Sequence, residues 1–113
     1  NTFILQPGEW SILAYIPAHR VSTHQARLYN VTNLTVDKYG SSEYTTTSVT
    51  TPSVIIYNVI LTVATTYRIE HFCQASRTSD GFGLATAFTG VTSGEVYTQI
   101  LLTRTSKNKT TIF

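Results

Sequence analysis

The stretch Thr65-Thr-Tyr-Arg-Ile-Glu-His-Phe-Cys73 decides how the rest of the chain is read. Side chains on a strand alternate between two faces. Tyr67, Ile69, His71 and Cys73 therefore share one face, and Thr66, Arg68, Glu70 and Phe72 share the other. The first suits an apolar core, with Cys73 expected to be a small buried residue. The second sets a cation, an anion and an aromatic ring side by side. That is an unusual solvent face, and it is read as a surface that meets a neighbour, so both faces of this strand are expected to be covered.

The composition around this stretch points the same way. Of 113 residues, 42% are hydrophobic and 12% are charged, the latter about half the usual share. Threonine alone supplies 21 positions. Thr, Val, Ile and Tyr fit a pleated surface and lose freedom in a helix. The length suits one domain spanning residues 1–113, with a polar, mobile tail expected from residue 105. The net charge is +2, with the basic residues scattered and no basic stripe interleaved with aromatics, which argues against nucleic-acid binding. No run approaches the roughly 20 apolar residues of a membrane-crossing helix, no signal-peptide pattern is read, and no membrane insertion is expected. The chain opens at Asn1 rather than Met, which raises the expectation of a fragment or processed form.

Working outward, Pro7-Gly8 suits a type II turn, followed by a strand over 10–16 ended by Pro17. In that strand Trp10, Ile12, Ala14 and Ile16 form one face; Ser11, Leu13 and Tyr15 form the other. Residues 18–24 read as a polar loop holding His19 and His24. A strand over 25–32 follows, with Ala26, Leu28 and Val31 toward the core if a bulge near Asn30 shifts the register. Arg27 and Tyr29 lie on its opposite face. Residues 33–35 turn the chain, and 36–39 form a short edge strand blunted by its charges. Residues 40–52 read as a Ser/Thr-rich connection carrying Glu43 and Tyr44. The β-branched run 53–63 reads as a strand, paired as a hairpin with residues 66–74. A loop over 75–83, a short strand over 84–88, a turn over 90–94 and a last strand over 96–104 complete the chain. About eight short antiparallel strands in this length give an all-β sandwich, for which a jelly roll is the commonest arrangement.

The order of these elements resembles the trimeric C1q/TNF-like jelly rolls. The residues that carry the likeness are Pro7-Gly-Glu-Trp10 leading into a strand, Leu28-Tyr-Asn-Val-Thr-Asn33, the apolar hairpin over 54–73 and the last strand over 96–102. More narrowly, Ala26-Arg-Leu-Tyr-Asn-Val-Thr32, Tyr39-Gly-Ser-Ser-Glu-Tyr44, Glu70-His-Phe-Cys-Gln74, Gly81-Phe-Gly83 and Glu95-Val-Tyr-Thr-Gln99 resemble segments of fibre-head and surface domains of bacteriophages and some large viruses. The resemblance implies a compact homotrimer on a virion surface or outside the cell, used for attachment to a host receptor, a cell-surface glycan or protein. The alternatives are a trimerisation or capsid-decoration domain without a ligand, and an extracellular C1q/TNF-like binding protein. The calcium and receptor residues of the eukaryotic members match no positions here.

Catalysis has little support. His71 and Cys73 share a strand face, but a nucleophile and base need a third, orienting group, and none is legible. Glu43 and Glu95 give no sign of a paired-carboxylate arrangement. His19 and His24 lie without nearby Asp, Glu or Cys, short of the three or four ligands a zinc site needs, so no metal and no cofactor are expected, and these histidines read as surface groups able to tune assembly with pH. Asn30-Val-Thr32, Asn33-Leu-Thr35 and Asn108-Lys-Thr110 match the glycosylation pattern, as chance allows in so Thr-rich a chain. In the trimer the resemblance implies, the outer face of the inner sheet packs around the threefold axis. Leu13, Tyr15, Arg27, Tyr29, Arg68, Glu70, Phe72, Tyr97, Gln99 and Leu101 are the expected interface, with Arg27 or Arg68 pairing with Glu70 across subunits. Receptor contacts are expected on loops, from His19, His24, Glu43, Tyr44, Arg77, Asp80 and Phe82, with Tyr44 and Phe82 stacking on sugar rings.

Overall fold

A computed structural model describes residues 1–84 and 97–105. Within them the chain forms seven strands and no helix: β1 Phe3–Leu5, β2 Gly8–His19, β3 Ser22–Asn30, β4 Thr35–Thr45, β5 Thr50–Leu61, β6 Thr65–Cys73 and β7 Gln99–Thr105. They make two antiparallel sheets, ordered β1-β6-β3-β4 and β5-β2-β7. The all-β class and the sandwich-like layering agree with the sequence reading. Apart from Leu84, the expected strand over 84–88 lies outside the described residues, as do the turn over 90–94, Glu95, Val96, the third glycosylation match and the tail beyond residue 105.

The core follows from alternation. Ile12, Ala14 and Ile16 of β2 and Ile55 of β5 face Ala26 and Leu28 of β3, Tyr67 of β6 and Leu5 of β1, and all eight are buried. Each of the leucines and isoleucines among them contributes roughly 1.5–3 kcal/mol on full burial. On β6, Tyr67 is buried and Ile69 half-buried while Arg68 and Phe72 are exposed, so the expected facing of that strand holds over these positions. Cys73 is exposed, contrary to the expectation of a buried small residue: it is the last residue of β6, beyond the buried core of Tyr67 and its neighbours. The outer face of β6 is open to solvent in the single chain, so only one of its faces is covered by the chain's own core.

Several expected boundaries shift. Pro17 does not end β2; it pairs opposite Pro52 of β5 inside the ladder. Backbone nitrogens two apart point to the same side of a strand. The His19 N–H donates to the Gly81 carbonyl at 2.8 Å, away from β5, and pairing with β7 stops at Tyr15. Pro17 thus removes no ladder bond. The polar loop over 18–24 is instead the end of β2 and the start of β3, joined through Arg20 and Ser22 at positive φ (57° and 64°). The connection over 40–52 is largely strand, with β4 running to Thr45 and β5 starting at Thr50. Asn30 keeps its register and is buried, its amide donating to Asp37 Oδ2 at 3.0 Å, so Val31 is not the core residue. The hairpin between β5 and β6 does not form: β5 pairs with β2 along the full length of both strands, and β6 pairs with β3 and β1. The 62–64 link carries the chain from one sheet to the other.

The two sheets are tied at β4. Ser53 Oγ donates to the Ser41 carbonyl at 2.7 Å and accepts from the Ala26 N–H at 3.0 Å. Gly40 sits beneath this joint: a Cβ there would stand 2.6 Å from Ser53 Oγ and 3.1 Å from the Ala26 carbonyl. Gly40→Ala must push the serine out of its two hydrogen bonds or bend β4. A loss of about 1–3 kcal/mol is expected from such overpacking, read as a lowered urea midpoint; an unchanged midpoint contradicts the close approach.

Candidate functional site

Three places in the described residues bring chemistry together. The first is the outer face of β6, β3 and β4. Arg27 opposes Glu70 and Tyr29 opposes Arg68 across β3 and β6. Glu70 Oε1 accepts from Arg27 Nε and Nη2, both at 2.7 Å. Its Oε2 accepts from Arg68 Nε and Nη2 at 2.7 and 2.6 Å. The Arg27 guanidinium lies 4.5 Å from the Phe72 ring centre, and that of Arg68 lies 4.6 Å from that of Tyr29. The hydrogen bond from Arg27, then that from Arg68, holds the Glu70 carboxyl below the usual carboxylate range. The ion pairs expected across subunits thus close within one chain: β3 and β6 are direct neighbours, and a cross-strand pair forms at lower entropic cost than an intermolecular one.

The second place lies between the sheets. His24 Nδ1 stands 2.9 Å from His71 Nε2, and His24 Nε2 stands 2.8 Å from Thr51 Oγ1. With Thr51 Oγ1 donating to the Tyr44 carbonyl, it accepts from His24 Nε2–H, and His24 Nδ1 accepts from His71 Nε2–H. His71 Nδ1 is buried without a partner among the described residues. Burial, and then the neighbouring His24, push the His71 imidazole down to about 4; burial lowers His24 too, against the pull of Glu43. His19 is likewise buried, with Nδ1 2.9 Å from Thr50 Oγ1 and Nε2 3.9 Å from Asp80. His19 and His24 are therefore not surface groups. Their polar neighbours in sequence hid the strands, and their partners Thr50 and Thr51 come from about thirty residues away.

The third place is the outer face of β5, β2 and β7. Ile56, Leu13 and Leu101 stand in register across the three strands, and Tyr15 pairs with Val54 and Gln99 in the next row. Leu13, Ile56 and Leu101 are 44%, 63% and 60% exposed. The expected interface residues thus divide between two sheets. Leu13, Tyr15, Gln99 and Leu101 lie on this face; Arg27, Tyr29, Arg68, Glu70 and Phe72 lie on the face of the other sheet. Tyr97 precedes β7 and its ring packs over Gly83. Ile56 and Ile60, both exposed, were not singled out from sequence, although their even spacing in the run 53–63 is the signal that finds them.

Of the expected receptor residues, Glu43 and Tyr44 lie on β4, with Tyr44 exposed. Arg77 and Asp80 are engaged with each other through two hydrogen bonds of 2.8 and 3.0 Å. Phe82 is exposed, its ring 6.2 Å from that of His71. Asn30, buried and bonded to Asp37, is closed to glycosylation, whereas Asn33 is exposed. His71 is turned to His24 rather than to Cys73, so the two do not form a dyad. Comparison of the chain with protein-family models, with curated proteins and with solved structures gives no match.

The histidine pair sets a pH dependence. In the unfolded chain both imidazoles titrate near 6.5. In the folded chain they take up protons only at lower pH, His71 at about 4. Between these values the unfolded chain binds more protons, so the stability is fully present above about pH 6.5 and falls as pH drops toward 4. Urea unfolding at pH 7.5 and 5.0 is expected to show a loss on the order of 1–2 kcal/mol at the lower pH, above the range where Glu70 titrates. Equal stabilities at the two values contradict the buried neutral pair.

Proposed function

We propose that this chain is a non-enzymatic surface module that assembles as a homotrimer, with a C1q/TNF-like jelly-roll arrangement, and attaches a virion or phage to a receptor on its host. The observation that carries the reading is the apolar outer face of β5, β2 and β7. The row Ile56–Leu13–Leu101, with Tyr15 and Val54 in the next row and the polar row Asn58–Ser11–Thr103 bounding it on the other side, has the character of a core cut open. Contiguous apolar surface of this kind marks association sites, and obligate interfaces between identical chains are the most apolar class. The three-chain count and the virion setting rest on the resemblance of the sequence to fibre heads.

The proposed contact excludes the Arg27–Glu70–Arg68 group. Those charges already pair with one another within the chain, and they lie on the outer face of their sheet, opposite to the face that packs on β5, β2 and β7. The assembly then leaves the outer face of β6, β3 and β4 open for a receptor.

Leu13 stands at the centre of the proposed contact, and a charge there would be desolvated without a partner. Leu13→Glu is expected to reduce the mass in solution at micromolar concentration from three chains to one. Glu70→Ala is expected to leave the mass unchanged and to cost roughly 1 kcal/mol or less in stability, since its ion pairs are solvent-screened. A wild-type monomer, or a Glu70→Ala chain that dissociates while Leu13→Glu does not, sinks this arrangement.

A further inference from the structure

The open face of β6, β3 and β4 carries a groove of about 660 Å³, lined among others by Thr23, Gln25, Ser42, Phe72 and Gln74. Its floor comes from the register: Gln25 opposes Phe72 on one side and Ser42 on the other. The β3–β4 ladder shifts between Gln25 and Arg27, which breaks the evenness of the sheet at this point. Phe72 is 56% exposed, although its ring is held by the Arg27 guanidinium 4.5 Å away. Thr23 Oγ1 donates to Gln74 Oε1 at 3.0 Å, and Gln25 Nε2 donates to the Gly40 carbonyl at 2.9 Å. These bonds fix both amides and leave their other ends free. Among the described residues, Gln74 Nε2, Gln25 Oε1 and the Ser42 hydroxyl have no protein partner.

We propose that this groove is a binding site for a neutral hexose. A pyranose ring offers one apolar C–H face and a rim of hydroxyls. Phe72 supplies an aromatic wall for the former, an apolar ring face held by Arg27 that can pack against the sugar's C–H groups. Gln74 supplies donors, Gln25 an acceptor and Ser42 both, the small set of placed polar groups by which a site fixes ligand orientation. The class of sugar follows from charge. Arg27, the cation that touches Phe72, already has its Nε and Nη2 bound to Glu70, and Arg68 is held by the same carboxylate. A carboxylated sugar would find the charge already neutralised and would stand near Glu70; an uncharged one loses nothing. The site rests on the attachment reading above for its purpose, and it moves the receptor contact from the loops to a strand face.

The test is a titration followed by backbone amide NMR, with D-galactose, D-glucose and N-acetylglucosamine as probes and N-acetylneuraminic acid as the charged comparator. At least one neutral sugar is expected to shift the amides of Thr23, Gln25, Ser42 and Gln74 at millimolar concentration, with N-acetylneuraminic acid at least tenfold weaker. Phe72→Ala, with amide dispersion confirming the fold, is expected to weaken the neutral sugar at least tenfold. Gln74→Glu, which keeps the oxygen bonded to Thr23 and removes the free donor, is expected to weaken it several-fold. Shifts that persist in Phe72→Ala, tighter binding of the charged sugar, or no shift with any neutral probe overturns the site. Host-cell or glycan-array binding that survives Phe72→Ala overturns the groove while leaving the attachment reading standing. Sugar binding by a monomeric wild-type chain does the reverse for the trimer.

Discussion

The inward row Ile12, Ala14 and Ile16 of β2 is the constraint on which the rest of the structure depends. It is the centre of the three-stranded sheet and the floor against which Ala26, Leu28 and Tyr67 pack. Yet β2 has two apolar faces, and a one-residue slip would exchange Ile12 and Ala14 for Leu13 and Tyr15. Hydrophobicity alone does not choose between them. Size and punctuation do. Ala14 between two isoleucines leaves room for the opposing sheet, and Pro17 is accommodated only with its nitrogen turned away from β5. Trp10 is pinned at the other end by its Nε1–H donating to the Gln6 carbonyl at 2.8 Å. Once this register is fixed, Leu13 and Tyr15 must face outward, and the apolar outer surface follows as a consequence.

The two outer faces then differ in kind. On the sheet of β5, β2 and β7, the outward positions Leu13, Tyr15, Val54, Ile56 and Leu101 form an apolar and aromatic patch, and nothing in the chain's own described residues covers its central row. On the sheet of β6, β3 and β4, the outer positions are Arg, Glu, Tyr, Phe and Gln, joined by ion pairs and cation–π contacts that close within the chain. One face is uncovered by the described residues; on the other the charges are paired within the chain, while Gln25, Ser42 and Gln74 keep polar atoms without a partner among the described residues. A division of labour between assembly and recognition is the simplest physical use of such a pair.

Much of the fold was legible from residues 65–73 outward, because alternation on β6, the interior of β3 and the β-branched run of β5 are local signals. The partners of those strands were not. Val54–Val63 and Thr66–Gln74 look like a hairpin because they are adjacent, but strand pairing is decided by which apolar faces must meet, and β5 is claimed by β2. The segment 18–24 was misread for a different reason. His19, Ser22, Thr23 and His24 look like loop residues, and only the hydrogen bonds of His19 to Thr50 and of His24 to Thr51 make the burial of these two histidines tolerable. For the candidate site, the residue types were legible and their grouping was not: Arg27, Glu70 and Phe72 were recognised as unusual, but sequence spacing does not say that Leu13 and Leu101 lie on the opposite side of the molecule.

The central claim is that the face of β5, β2 and β7 is covered by copies of the chain while that of β6, β3 and β4 stays open. Solvent relaxation enhancement by a neutral, soluble paramagnetic probe reads both faces in one sample. At concentrations where the chain is assembled, the methyl groups of Leu13, Ile56 and Leu101 are predicted to be shielded, and the Phe72 ring and Thr23 methyl strongly relaxed. Equal relaxation of the two faces, or shielding confined to Phe72 and Thr23, would contradict the account.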